Sequence, residues 1–343
     1  MLTKEFDFDL PRALIAQEPL PERDGSRLLV VKREDGSLSE KVFRDVTEYF
    51  SSGDVLVLNN SRVIPARMFC SRRTGAKIEI LLLEEMTEGK WEVLVKPAKR
   101  VRIGEEMFFP ETDFTVRITE RSSSGKWTAE FSPKRIDALM SKKGFMPIPP
   151  YIKKKLNFPE KYQTIFAEKN GSVACPTSGL HFTGSLIEKI KGIGVKVVFV
   201  TLHIGIGTFR PIKAEFLEEH YMDSEYLDLP EDTASVINSA KDRGAKIFAC
   251  GTSAVRTLES QADSLSMKVK KVLPGIRKTD LFIRPGYKFK IVDCLITNFH
   301  LPRSTNLVLA GTFLGKELLK KVYKKAVEDK FRFYSFGDAM LAL

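Results

Sequence analysis

The chain has 343 residues, enough for about two domains and a large core. Lys plus Arg number 55 against 44 Asp plus Glu, a net charge of +11 that attracts polyanions such as RNA or DNA without proving a partner. Cys70, Cys175, Cys250 and Cys294 form no CxxC pair, the N-terminus has no apolar signal core, and no apolar run reaches the roughly 18 residues of a bilayer span. These features argue against disulfides, a cysteine-based zinc site and a membrane partner, and lead us to expect a cytoplasmic protein.

The first 70 residues predict an acidic-aromatic start, a loop over 20–27 and short strands over 28–32 and 54–58. The second strand runs into Asn59-Asn60-Ser61-Arg62, polar groups crowded at a strand end, which an ordinary Asx turn would also explain. From about 70 to 133 short alternating segments follow (77–83, 91–96, 114–119 and 126–131), with turn-rich pieces between them. That spacing suggests a small antiparallel barrel or sandwich inserted into a larger domain. The connection over 96–102 is basic; it could track a phosphate backbone, but a solvated basic loop is the more common explanation. Met146-Pro147-Ile148-Pro149-Pro150-Tyr151 reads as a stiff crossing back. The expected division is therefore a discontinuous α/β domain of residues 1–69 and 146–343, with residues 70–145 as an all-β insert.

Residues 173–211 organise the second half. Two polar turns, 176–181 and 203–208, bracket a helix predicted over 184–191 and an apolar, β-branched strand over 195–202. Ligands of parallel α/β folds sit beyond the C-terminal ends of strands. A loop there with His203, Gly205, Gly207, Thr208 and Arg210 is a candidate site; a tight turn with a structural histidine explains it as well. It is a poor dinucleotide fingerprint, because Arg210 holds the third glycine position and Pro211 blocks a helix. Further on, a helix over 231–243 feeds a strand over 245–250, which delivers Gly251-Thr252-Ser253, a turn that can present N–H groups to an anion or simply cap a helix. A strand over 290–297 leads to Asn298-Phe299-His300, followed by a long helix with a face of Lys316, Lys320, Lys321, Lys324 and Lys325. Alternating strands and helices make the large domain α/β.

Several chemistries lack their motifs. The stretch nearest to a P-loop, Gly311 to Glu317, has the wrong spacing and last residue; HExxH is absent, and no Ser or Cys sits in a nucleophile elbow. His181, His203, His220 and His300 all fall in polar loops, which favours acid–base or substrate-binding work over core packing, although His220 suits a surface equally.

PTSGLHFT (176–183), VTLHIGIGTFRP (200–211), EEHYMDSE (218–225), GTSAVRTLES (251–260), ITNFHLPRST (296–305) and FRFYSFGDAML (331–341) together resemble the S-adenosylmethionine:tRNA ribosyltransferase-isomerase family. The N-terminal FDFDLPRALIAQEPLPERDGSRLLVV and LNNSRVIPARM (58–68) extend the likeness over the whole chain. The resemblance implies a barrel-like α/β large domain interrupted by a small all-β antiparallel barrel. It implies transfer and isomerisation of the ribosyl part of S-adenosylmethionine onto 7-aminomethyl-7-deazaguanine at the tRNA wobble position, giving epoxyqueuosine-tRNA, adenine and methionine. S-adenosylmethionine would be consumed, with no resident cofactor or metal, tRNA would be the partner, and the chain would be a monomer.

On that basis His203 and His300 are the expected acid–base pair, with His181 and His220 as substitutes. Thr177, Ser178, Gly205, Gly207, Thr208, Thr252, Ser253 and Asn298 would hold the ribose and methionine. Arg256 or Arg210 would meet the methionine carboxylate, and Asn59, Asn60 and Arg62 would read the modified base. One departure stands out: where the family has His-Met-His-Ser-Glu, this chain has Asp223 in place of the second histidine. Two rival readings are a non-catalytic tRNA-binding protein and a metal-dependent hydrolase built from the four histidines.

Overall fold

A computed structural model describes residues 1–154, 159–263 and 271–343. The chain divides into two compact units, Met1–Arg62 with Pro150–Lys169 and Cys175–Leu343, and Val63–Pro149 with Asn170–Ala174. In chain order the strands are β1 (Arg27–Val31), β2 (Leu38–Val42), β3 (Val55–Asn59), β4 (Ser61–Val63), β5 (Arg67–Ser71), β6 (Lys77–Thr87), β7 (Lys90–Lys96), β8 (Glu106–Phe108), β9 (Thr115–Arg121) and β10 (Trp127–Ser132). They continue as β11 (Lys169–Ser172), β12 (Lys196–Leu202), β13 (Glu225–Leu229), β14 (Ile247–Cys250), β15 (Gly275–Thr279), β16 (Cys294–Asn298) and β17 (Ala339–Ala342). The α-helices are α1 (Asp137–Lys143), α2 (Gly184–Gly192), α3 (Glu231–Asp242), α4 (Gly251–Ser260), α5 (Thr305–Leu314) and α6 (Lys316–Glu328).

The smaller unit is a closed antiparallel barrel in the order β10-β7-β6-β5-β8-β9. Each of the four alternating segments read from the sequence becomes one of its strands. Their inward residues, Ile78, Ile80 and Leu82 on β6 and Trp91, Val93 and Val95 on β7, follow the period of two that a pleated strand imposes.

The larger unit is built on a nine-stranded mixed sheet, β15-β13-β12-β3-β14-β16-β17-β1-β2. Its centre, β12-β3-β14-β16, is wholly parallel. Both faces are covered, and the strands show it residue by residue: Val55 and Val57 of β3 join one apolar cluster, Leu56 and Leu58 the other. β14 divides likewise, with Ile247 and Ala249 on one side and Phe248 and Cys250 on the other. Residues of α3, α4, α5 and α6 pack on the first face, and Leu186, Ile187 and Ile190 of α2 with Phe43 and Val46 pack on the second. Burial on both faces is why these strands read as unbroken apolar runs.

Two expected elements are corrected. The strand expected over 290–297 begins only at Cys294, because the N–H groups of Lys290, Ile291 and Val292 donate to the Glu259 carboxylate at 2.9, 3.0 and 3.0 Å instead of to a neighbouring strand. The long C-terminal helix is two, α5 and α6, broken at Gly315 (φ +86°), a backbone conformation that suits glycine. The lysines of α6 are partly neutralised by acids: Lys316 pairs with Glu5, Lys320 with Glu317 and Lys325 with Asp329. Among the described residues no helix is long and apolar enough to cross a membrane.

Glu259 is buried and also accepts from Tyr287 Oη at 3.0 Å. Glu259→Ala strands several donors away from water, each costing about 1–3 kcal/mol. We expect a loss of about 3 kcal/mol or more in urea denaturation; a midpoint equal to that of the unmodified chain would contradict this role.

Candidate active site

The four central parallel strands all deliver their C-terminal ends to one edge of the sheet. β3 ends at Asn59, β12 at Leu202 before His203, β14 at Cys250 before Gly251, and β16 at Asn298 before His300. One side chain ties three of these ends together. Asn59 Nδ2 donates to the Leu202 carbonyl and to Ser253 Oγ, both at 3.0 Å, while Asn59 Oδ1 accepts the N–H groups of Ser61 (3.0 Å) and Leu202 (3.1 Å). Gly251, at φ +85°, turns the chain from β14 into α4; a Cβ there would meet Ser178 Oγ at 3.4 Å.

A pocket opens at this edge. It is lined by Thr177, Ser178, Thr208, Thr252, Ser253, Asn298 and His300 from the expected set, together with residues such as Tyr151, Cys175, Ile204, Ser304, Tyr334 and Ser335. Among the described residues no Asp, Glu, Lys or Arg lines it. Hydroxyls, an amide, an imidazole and main-chain groups offer both donors and acceptors without net charge, which suits a polar ligand such as a nucleoside.

The histidines do not share it. His300 lines the pocket; its Nε2 lies 3.0 Å from Thr297 Oγ1, and its backbone N–H donates to Tyr323 Oη at 3.0 Å. Burial pushes its pKa down to about 3. His203 stands just before pocket-lining Ile204, with Nδ1 2.8 Å from Ser61 Oγ and its ring stacked on Tyr226 at 5.0 Å; burial lowers its pKa to about 4. His181 is buried against Phe43, and both its nitrogens are engaged: Nε2–H donates to Asn298 Oδ1 at 3.2 Å, and Nδ1 accepts from Ser26 Oγ at 2.8 Å. The orientation follows from Asn298, whose Nδ2 donates to the Tyr334 carbonyl at 2.9 Å. Burial, more than these bonds, lowers the His181 pKa to about 4. His220 is half-buried against the edge of Phe282 and away from the pocket lining; burial lowers its pKa and Asp223 partly opposes that. His181 and His300 are both buried, which their place in polar loops did not announce. Among the described residues no group of three or more His, Cys, Asp or Glu is placed to hold a metal ion.

Other expected residues are used by the fold. Arg256 is buried and paired with Glu225, and donates Nε to the Leu281 carbonyl (3.1 Å) and Nη2 to the Thr279 carbonyl (3.3 Å), so its guanidinium is committed. Glu225 Oε1 in turn accepts the Gly205 N–H at 2.7 Å. Asn59 is saturated as described, and Asn60 donates to Glu168 Oε2 (3.2 Å) while accepting from Thr201 Oγ1 (2.7 Å), so both amides, expected to read the base, already hold the strand ends. Arg62 is exposed and donates to the Ala167 carbonyl; Arg210 is exposed and does not line the pocket. A Cβ on Gly207 would approach Asp223 Oδ2 to 2.7 Å, so the glycine lets the 203–208 loop lie against that carboxylate.

Sequence reasoning missed Tyr151, Tyr334 and Ser335. Tyr151 belongs to the proline-rich crossing, and its hydroxyl bonds to Ser335 Oγ. Tyr334 adopts φ +75°, uncommon for a bulky residue, held by its N–H on the Phe299 carbonyl at 3.0 Å and its carbonyl under Asn298. An aromatic in a polar turn was the only signal.

A pocket at the carboxyl ends of parallel strands, lined by hydroxyl, amide and imidazole groups, places the chain among α/β proteins with a polar concavity at the strand ends, the usual position of a ligand site in such folds. A family model described as "Queuosine biosynthesis protein" matches residues 3–342, and the chain belongs to that family. It is 46% identical over 345 residues, covering 100% of both chains, to the S-adenosylmethionine:tRNA ribosyltransferase-isomerase of Caldanaerobacter subterraneus subsp. tengcongensis. It is 47% identical over 343 residues, again covering 100% of both, to the protein of that name from Thermotoga maritima. A crystal structure of S-adenosylmethionine tRNA ribosyltransferase from Thermotoga maritima matches 99% of this chain and 100% of that one with a TM-score of 0.57 at 39% identity. The mixed α/β fold with a small closed barrel agrees with that likeness.

The buried pair and the buried histidines each give a measurable outcome. Arg256→Met leaves the Glu225 carboxylate buried without its cation and should cost about 3–5 kcal/mol. Glu225→Gln keeps an acceptor for Gly205 and should cost less; equal losses would contradict the link between Glu225 and the Gly205 loop. His181 and His300 have folded pKa values of about 4 and about 3, below the ordinary 6.5. Above pH 6.5 neither folded nor unfolded chain holds these protons. As pH falls through 6.5 the unfolded chain takes them up and the folded chain does not, so stability falls by up to about 1.4 kcal/mol per pH unit per histidine until the folded values are reached. Urea midpoints should therefore fall between pH 7.5 and pH 5.0, and an unchanged midpoint would contradict neutral burial.

Proposed function

We propose that this pocket binds S-adenosylmethionine and that the chain performs the reaction for which its relatives are named, transfer and isomerisation of the ribosyl group onto tRNA. The acceptor is 7-aminomethyl-7-deazaguanine at the wobble position, and the products are epoxyqueuosine-tRNA, adenine and methionine. The observation that carries this reading is the full-length match to relatives of that name, combined with an uncharged, donor- and acceptor-rich pocket at the C-terminal strand edge. We assign the work to the α/β part, residues 1–69 and 146–343, with residues 70–145 as an inserted domain. The chain acts in the cytoplasm as a monomer, consumes S-adenosylmethionine and needs no resident cofactor.

The sulfonium acidifies the neighbouring ribose 5′ carbon, so a positioned base can remove a proton there. His300, which lines the pocket and stays neutral through burial, takes that role. His203 is its acid–base partner at the rim. Adenine departs, the amine of the modified base attacks, and methionine leaves as the epoxycyclopentane ring closes. Thr177, Ser178, Thr208, Thr252 and Ser253 hold the ribose and methionine through hydroxyls, and Asn298, oriented by His181, fixes an edge of the bound nucleoside. Orientation of two large substrates and exclusion of water supply much of the rate.

Incubation with S-adenosylmethionine and tRNA bearing the deazaguanine precursor should release adenine and methionine and give the modified nucleoside by mass analysis. Salt-dependent RNA binding with no adenine released would favour the non-catalytic reading. His300→Ala should lower kcat about a hundredfold or more. Because burial holds His300 near 3 and His203 near 4, the acid limb of kcat/KM should lie below pH 5. A limb at pH 6.5 would remove the assignment of these histidines.

A further inference from the structure

A second pocket adjoins the first within the larger unit and shares Ser335 with it. Its lining includes Arg23, Ser26, Lys161 and His181, and among the described residues no Asp or Glu. The two concavities are also linked by a hydrogen bond, since His181 of the second donates to Asn298 of the first at 3.2 Å. Among the described residues charge is thus separated between them: the first is lined by uncharged side chains, and the second carries Arg23 and Lys161.

Arg23 is the more informative cation. Its guanidinium is half-buried and donates Nη1 to the Leu180 carbonyl at 3.3 Å, and no carboxylate pairs with it. The acids beside it in sequence are engaged elsewhere: Glu22 Oε2 receives Arg44 Nη2 at 2.9 Å, and Asp24 Oδ2 receives Thr183 Oγ1 at 3.1 Å. Burial lowers the Arg23 pKa, yet the group keeps its charge at any physiological pH. Nearby, Arg332 donates Nη2 to the Glu18 carbonyl, next to pocket-lining Pro19, while its Nη1 is buried without a hydrogen-bond partner among the described residues. A partly desolvated guanidinium without a carboxylate, set in a concavity with no acidic side chain, is an arrangement that an oxyanion completes.

We propose that this second pocket is an oxyanion subsite of the same active site, in which Arg23, with Lys161 at the rim, receives an oxyanion carried by one of the two substrates. The proposal rests on the function assigned above. Two sources have the required chemistry, the methionine carboxylate of S-adenosylmethionine and a phosphodiester of the RNA. The adenosyl part then occupies the uncharged pocket, and the anionic group crosses Ser335 to the cations. Arg256 and Arg210, expected from the sequence to meet the carboxylate, are respectively committed to Glu225 and outside the pocket lining.

The test compares the wild-type chain with Arg23→Met, Arg23→Lys and Lys161→Met, and uses Lys324→Met, at an exposed lysine outside both pockets, as a control for loss of a surface cation. Direct binding of S-adenosylmethionine and of its decarboxylated analogue is measured for each, alongside tRNA binding as a function of salt. If the subsite holds the carboxylate, Arg23→Met weakens S-adenosylmethionine about ten- to a hundredfold, Arg23→Lys recovers part of the loss, and neither changes affinity for the decarboxylated analogue. If it holds a phosphodiester, S-adenosylmethionine affinity stays at the wild-type value while tRNA binding weakens and its salt slope falls by about one. Wild-type affinity for both substrates in folded Arg23→Met and Lys161→Met overturns the proposal. Absence of ribosyl transfer by the wild-type chain counts against the assigned function instead, and the binding arms separate the two failures.

Discussion

The site depends on one buried amide. Asn59 caps the end of β3 and, through four hydrogen bonds of 3.0–3.1 Å, fixes both main-chain groups of Leu202, the N–H of Ser61 and the hydroxyl of Ser253. Parallel strands leave unpaired main-chain groups where they end, and burial makes each costly unless it is satisfied. Asn59 meets that requirement at β3 and β12 and reaches the first turn of α4, so the loops that line the pocket start from fixed points. A shorter or purely donating side chain would leave one of the partners unmatched.

Much of this was legible in the residues. Largely apolar runs at 54–58 and 195–202 announced strands covered on both faces, and the alternating segments between 77 and 131 announced the barrel, because burial acts on side chains with the strand's own period. Polar turns after those runs marked the pocket edge, and Thr177, Ser178, Thr208, Thr252, Ser253, Asn298 and His300 do line it. What escaped depends on contacts distant in sequence. Nothing local to 290–292 says that a glutamate some thirty residues earlier takes its N–H groups. Nor does anything local to Arg256 reveal Glu225, or anything at Tyr334 its left-handed backbone. An arginine in a helix after a glycine-rich turn has the same sequence signature whether it meets a ligand or a buried carboxylate.

The electrostatics of the pocket follow from its lining. S-adenosylmethionine carries a sulfonium, and no carboxylate lines the pocket to neutralise it. In a medium of reduced dielectric a second positive charge nearby is strongly disfavoured, so a bound sulfonium opposes protonation of His300 in the same direction as burial already does. In the proposed complex, substrate and fold would therefore both keep the imidazole neutral, the only form able to accept a proton. Under the proposed role, a weak base would be matched to a carbon acid whose acidity comes from the adjacent sulfonium; the hydrogen bonds to Thr297 and Tyr323 hold His300 in place without adding charge. Had an acid lined this pocket, it would have gripped the sulfonium more tightly and at the same time diminished the acidity on which proton removal depends.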